Sequence, residues 1–220
     1  MSDGDEDEND YVTMKVVLIG EMAVGKTSII TKFTTNTFSP YVLTSTGSTF
    51  FSKKIELDNN NKVKIQIWDT AGQEQYRSLA KLFYQNTSAA MLVYDITNEN
   101  SFLAIKDYWS DEIKNNAPEN IIIAIVANKS DEYVKEKVPT EEGKELAKKL
   151  NAIFINTSAK SGIGIDNLFR TVAEKYIDPT KDISNTYMNR EETKEKNKKI
   201  TLKKKKRQIK EKGKNVDQIN

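Results

Sequence analysis

The 220-residue sequence contains no cysteine and no histidine. Without cysteine there can be no disulfide, no thiol nucleophile, no cysteine-held zinc and no cysteine lipidation. Without histidine there can be no His-based triad, no imidazole metal site and no imidazole pH switch. No apolar run approaches the roughly 18 residues that suggest a membrane span. Residues 1–10 are acidic and do not resemble a signal or transit peptide. Ser2 stands where N-myristoylation needs glycine. The expected location is therefore cytoplasmic, or peripheral on a cytosolic membrane face.

What remains is highly charged and unevenly so. Charged residues make up 30% of the chain, hydrophobic ones 37%, and the mean hydropathy is −0.63. Such a chain can build one core but leaves part of itself unpacked. The net charge of +2 conceals an acidic head, with six carboxylates and no base in residues 1–10, and a basic tail. Residues 194–214 hold twelve Lys or Arg against two Glu. Three regions are expected. Residues 1–10 form an acidic disordered start, 11–178 one folded domain, and 179–220 a basic, largely disordered tail.

Glycine is scarce at nine residues, so the pair in Gly20-Glu21-Met22-Ala23-Val24-Gly25-Lys26-Thr27 stands out. An apolar run, Val16 to Ile19, precedes it, and a helical pattern, Lys26 to Thr35, follows. Strand, glycine-bounded loop with Lys-Thr, helix is the context of a phosphate loop. Backbone N–H groups of Met22, Ala23, Val24, Gly25, Lys26, Thr27 and Ser28 would cradle phosphate oxygens. Lys26 would reach the β- and γ-phosphates, and the Thr27 hydroxyl would ligate Mg²⁺.

Downstream, apolar strands alternate with amphipathic helices. Strands are expected at Met14–Ile19, Phe51–Leu57, Val63–Ile67, Ala89–Tyr94, Ile121–Ala127 and Ala152–Asn156. Helices are expected at Leu79–Asn86, Asn98–Asn115, Thr140–Leu150 and Ile165–Ile177. The alternation predicts an α/β fold: a six-stranded, mostly parallel sheet with helices on both faces. Asn36–Thr49, rich in Thr and Ser, reads as a long loop of functional type.

Three further motifs sit at expected strand ends, where open α/β sheets bind ligands. Asp69-Thr70-Ala71-Gly72-Gln73-Glu74 offers a carboxylate that could hold Mg²⁺ through water. The Gly72 N–H could face a γ-phosphate, and Gln73 could orient the attacking water. Asn128-Lys129-Ser130-Asp131 offers a carboxylate able to accept from guanine N1–H and its 2-amino group. Adenine cannot supply that pair. Asn128 can brace the loop and the Lys129 stem can lie over the base. In Thr157-Ser158-Ala159-Lys160 the Ala159 N–H could meet guanine O6.

In this order the four motifs resemble the Ras-like small GTPases, and most closely the Rab family, over about residues 11–178. Rab-like stretches include Gly47-Ser48-Thr49-Phe50, Trp68 to Glu74, Tyr76-Arg77-Ser78-Leu79 and Val93-Tyr94-Asp95-Ile96-Thr97. Gly20-Glu21-x-Ala23-Val24-Gly25-Lys26 and Ser78-Leu79-Ala80 look like the early-endosome branch. The resemblance implies a P-loop NTPase G domain that hydrolyses GTP slowly and cycles between GTP and GDP states. It also implies exchange factors, activating proteins and effectors as partners, and traffic of vesicle or endosomal membranes as the process. A monomer is expected, with no specific nucleic-acid partner.

Carried over by position, Phe38 would pack against the guanine edge, and Ser45 would ligate Mg²⁺ in the GTP state beside Thr27 and Asp69. Phe50, Trp68 and Phe83 fall on the family's aromatic effector triad. Phe50 and Phe83 are equally readable as core, whereas Trp68 is expected to be partly exposed. An activating partner would donate an arginine, and some Rab activators also bring a glutamine, which would lessen the demand on Gln73. Met22 departs from the small residue usual at its position, and its bulk would crowd the γ-phosphate. Two alternatives stay open: a GTP-bound scaffold that hardly hydrolyses, or a GTPase acting off membranes through its basic tail. The tail, with Lys203-Lys204-Lys205-Lys206-Arg207, lacks the usual prenylated cysteines. It reads as an anionic-lipid contact, a nuclear-import signal, a weak nucleic-acid contact or a solvated segment.

Overall fold

Strand β4 (Ala89–Asp95) is buried along its whole length, which only a central strand covered on both faces can be. β1 (Val12–Ile19) and β5 (Ile122–Asn128) flank it, both parallel to it. β6 (Ile153–Asn156) closes one side. On the other side β3 (Lys62–Asp69) runs parallel to β1, and β2 (Thr49–Glu56) pairs antiparallel with β3. The six-stranded order is β2-β3-β1-β4-β5-β6. This computed structural model describes residues 10–40, 49–69 and 86–181. The expected helix Leu79–Asn86 falls outside them except for Asn86, which is in a turn.

Among the described residues the helices are α1 (Lys26–Thr35), α2 (residues 99–116), α3 (Thr140–Lys149) and α4 (Ile165–Ile177). Helix α2 runs from Glu99–Ala104 through a π turn at Ile105–Trp109 into Ser110–Asn116. The π turn keeps Ile105, Trp109 and Ile113 all buried, and the Ser110 hydroxyl donates to the Ile105 carbonyl at 2.7 Å. These three side chains join Val17, Leu92, Tyr94, Ile125 and, from α3, Leu146 in one core layer. Alternation along the strands sends Val16, Leu18, Ile65 and Ile67 to the opposite face. There α1 and α4 meet through Phe33 and Phe169, stacked with ring centroids 3.8 Å apart.

Element by element, the expected strands and these four helices appear with ends shifted by no more than two residues. A 3₁₀ segment, Ser130–Lys135, was not anticipated, because its apolar residues Tyr133 and Val134 are exposed rather than periodic. The hairpin between β2 and β3 turns at Leu57–Asn61, where Asn60 adopts φ 61°. The five parallel strands end together at Ile19, Asp69, Asp95, Asn128 and Asn156, which brings the loops that follow them to one edge.

Candidate functional site

The loop between β1 and α1 turns through left-handed backbone at Ala23 (φ 64°) and Gly25 (φ 98°). At Gly25 the shape requires glycine. A Cβ there would lie 2.4 Å from the Asn128 amide nitrogen, too close for any side chain. The loop therefore packs on the end of β5. Asn128 Nδ2 donates to the Val24 carbonyl at 2.8 Å, across 104 residues of sequence. Its Oδ1 accepts from the Thr157 hydroxyl at 3.1 Å and from the Ala159 N–H at 3.4 Å. One buried amide thus ties the phosphate-type loop, the Asn128–Asp131 loop and the Thr157–Lys160 loop together.

Lys26 opens α1, yet its ammonium is turned back into the loop. It donates to the carbonyls of Gly20 at 2.8 Å and Glu21 at 2.9 Å. The residue is only 6% exposed. Burial pushes its pKa down to about 8, against the opposing pull of the Asp69 and Glu21 carboxylates. A desolvated cation at a helix start with inward N–H groups is built to receive an anion. Next to it, the Thr27 hydroxyl donates to Asp69 Oδ2 at 2.5 Å. Asp69 is fully buried at the end of β3. Two hard oxygens in contact suit Mg²⁺, which prefers carboxylate, hydroxyl and water oxygens.

At the far end of the edge, Ser158 Oγ donates to Asp131 Oδ1 at 2.5 Å, and Lys160 Nζ lies 3.8 Å from Asp131 Oδ2. Ser28 is half-buried behind the phosphate-type loop, and Phe38 is exposed. Met22 is 54% exposed at the loop's outer tip. Ser45, Gly72, Gln73 and Phe83 lie outside the described residues. Phe50 and Trp68 are cross-strand partners on β2 and β3, in an edge-to-face pair with centroids 5.4 Å apart. Phe50 is 49% exposed and so is not core, while Trp68 is half-buried against the α2 layer.

Two features were missed in the sequence. Asp95, buried at the end of β4, accepts from the Thr97 N–H and hydroxyl, both at 2.8 Å, and pairs with Lys129 Nζ at 2.6 Å. Lys129 has a left-handed backbone (φ 65°), and this ion pair fixes its ammonium beside β4. An acid closing an all-apolar strand was the available signal. Trp109 Nε1 donates to Glu21 Oε1 at 3.3 Å, joining α2 to the phosphate-type loop. No local pattern links residues 88 positions apart.

Residues 15–178 match the model of the Ras family. The chain is 39% identical over 174 residues to the human Ras-related protein Rab-31, covering 78% of this chain and 88% of the relative. It is 39% identical over 162 residues to the human Ras-related protein Rab-22A, covering 74% and 82%. Members of the Ras family bind GTP or GDP with Mg²⁺ and work with exchange factors, activating proteins and effectors. With the sheet order, the laced loops and these matches together, the chain belongs to the Ras family, among its Rab-related members, and is a slow GTP hydrolase.

Proposed function

We propose that the loop edge holds one guanine nucleotide with Mg²⁺, and that the chain switches between GTP and GDP states to recruit effectors in endosomal vesicle traffic. The observation that carries this is Asn128, whose side chain joins three of the four motifs at one place. In this reading the N–H groups of Met22 to Ser28 surround the phosphates. Lys26 exchanges its two carbonyl partners for phosphate oxygens. Thr27 and, in the GTP state, Ser45 ligate the metal, with Asp69 behind a water. Bound Mg²⁺ would neutralise charge on the phosphates during transfer to water. Gly72 and Gln73 serve the γ-phosphate and the attacking water. Asp131 accepts from the base, Ala159 donates to O6, Ser158 and Lys160 hold Asp131 in position, and Phe38 covers the base edge. Lys129, paired to Asp95, lays its stem along the base.

Phe50, Trp68 and Phe83 form the effector contact in this proposal. The exposure of Phe50 on the edge strand supports it, because a large apolar ring left in water marks a surface that meets other molecules. The basic tail would add a reversible contact with anionic lipid. Among the described residues no helix is long and apolar enough to cross a membrane.

The test is nucleotide extraction from purified protein, followed by binding to Asp131→Asn. The variant swaps an acceptor for a donor facing the base, so guanine-nucleotide affinity should fall about a hundredfold or more, with a relative gain for xanthine. Unchanged guanine affinity would remove Asp131 from the base site.

A further inference from the structure

Glu21 is the one acid between Gly20 and Ser28. The rest of that loop gathers N–H groups and the Lys26 ammonium, an arrangement made for an anion. A carboxylate among them repels a phosphate, and more strongly the less water lies between the two. Glu21 is half-buried and engages two partners. Its carbonyl accepts from Lys26 Nζ at 2.9 Å, and its Oε1 accepts from Trp109 Nε1 at 3.3 Å. The carboxylate is close enough to pull on the Lys26 ammonium. Where this side chain is held therefore bears on what the loop can retain.

Trp109 reaches it from an irregular stretch of α2. The Ser110 N–H donates to the Ile105 carbonyl, closing the π turn that ends at Trp109, and the Ser110 hydroxyl donates to the same carbonyl. Such turns interrupt the regular helix and recur at functional sites. The Trp109 ring is buried in the core layer with Val17 and Ile19 of β1, the strand that leads into the loop. A rigid wall thus presents the indole N–H to a loop side chain. An indole has one donor and no acceptor. It can fix a carboxylate, and being neutral it does so without adding a cation that would compete for phosphate.

We infer that Trp109 is a positioning residue for nucleotide retention: its indole N–H holds the Glu21 carboxylate against α2, off the phosphates that the loop receives. The inference rests on the reading that the loop between β1 and α1 holds phosphates. Without the N–H, the carboxylate is free to turn toward the bound nucleotide, and release speeds up. The effect runs through the charge of Glu21, which separates it from packing by the ring.

The experiment loads the full chain with a fluorescent GDP analogue and Mg²⁺, then chases with unlabelled GDP. Trp109→Phe keeps an aromatic ring in the core and removes the N–H, and it should release the analogue about tenfold faster. Glu21→Gln keeps an acceptor for the indole and removes the charge, and it should release no faster than the unaltered chain. Adding Trp109→Phe to Glu21→Gln should then change release by less than about twofold. A second measurement leaves Trp109 in place. The chain has two tryptophans, so Trp68→Phe makes Trp109 the only indole, and its N–H resonance should move when Glu21→Ala is added. Release from Trp109→Phe within about twofold of the unaltered chain would overturn the inference. So would equal acceleration in the Glu21→Gln background, which would make Trp109 a packing residue, or an unmoved indole resonance. An unaltered chain that retains no guanine nucleotide would overturn the phosphate reading and this inference with it. Nucleotide retained with release unmoved would overturn this inference alone.

Discussion

Folding changes the acid–base chemistry of Lys26. In the nucleotide-free protein its pKa falls from 10.5 to about 8 through burial. The unfolded chain then binds more protons than the folded one between those values, so stability rises with pH across that window. A shift of this size corresponds to about 3 kcal/mol, withheld below pH 8 and recovered by pH 10.5. Chemical denaturation of nucleotide-free protein should show that rise, and Lys26→Met should lack it. Phosphate beside the ammonium reverses the shift. Binding of GDP with Mg²⁺ at pH 8, where the nucleotide's own phosphate is already ionised, should therefore take up about half a proton, as read from calorimetry in buffers of different ionisation heat. Met22 is the other informative residue. It is more than half exposed, so its apolar side chain has no packing reason. If its bulk crowds the γ-phosphate, Met22→Ser should hydrolyse bound GTP several-fold faster in a single turnover, about 1 kcal/mol of barrier. Equal rates would show the side chain points clear of the reacting atoms and would leave the low-hydrolysis scaffold without support.

Helix α3 and strand β4 meet at a point the sequence did not announce. Tyr94 is fully buried, and its hydroxyl has no hydrogen-bond partner among the described residues. Burial, with Glu136 and Glu142 nearby, pushes this phenol above its usual range, so it stays neutral at all working pH. A Cβ on Gly143 would lie 2.5 Å from that hydroxyl and 2.5 Å from the Phe154 ring. The glycine in mid-helix is thus a packing choice made at the expense of helix propensity. Tyr94→Phe removes an unsatisfied buried hydroxyl and should stabilise the protein by about 1 kcal/mol. Gly143→Ala should cost about 1–3 kcal/mol through overpacking, and less in the Tyr94→Phe background. A double-mutant cycle by thermal melts would read that coupling, and strict additivity would show that the two groups do not compete for space. The same pair shows where sequence reading succeeds and where it stops. Elements were legible because apolar runs such as Ala89–Tyr94 and periodic helices such as Ile165–Ile177 declare themselves locally. Phosphate-loop and base-loop residues were legible because their spacing encodes their chemistry. The Asp95–Lys129 pair, the Trp109–Glu21 bond and the Tyr94–Gly143 contact were not, because each joins elements whose proximity only the sheet order creates.

At the scale of the whole chain the charge is segregated: acidic at the start, near neutral through the domain, basic after residue 193. The Rab-related membership raises the question of whether residues 194–214 meet a membrane. Electrostatics can supply part of the answer. Each Lys or Arg near an anionic leaflet contributes about 1 kcal/mol, and residues 194–214 hold ten more bases than acids. Binding through charge alone should be reversible and strongly salt-dependent. The full chain should co-sediment with vesicles containing phosphatidylserine at low salt and leave them as ionic strength approaches about 0.5 M, where the Debye length is below 5 Å. A chain ending at Lys181 should not pellet under either condition, and neutral phosphatidylcholine vesicles should retain neither chain. If the full chain stays in the supernatant at low salt, the tail is not a lipid contact, and the basic run must be serving a protein partner or solvent instead.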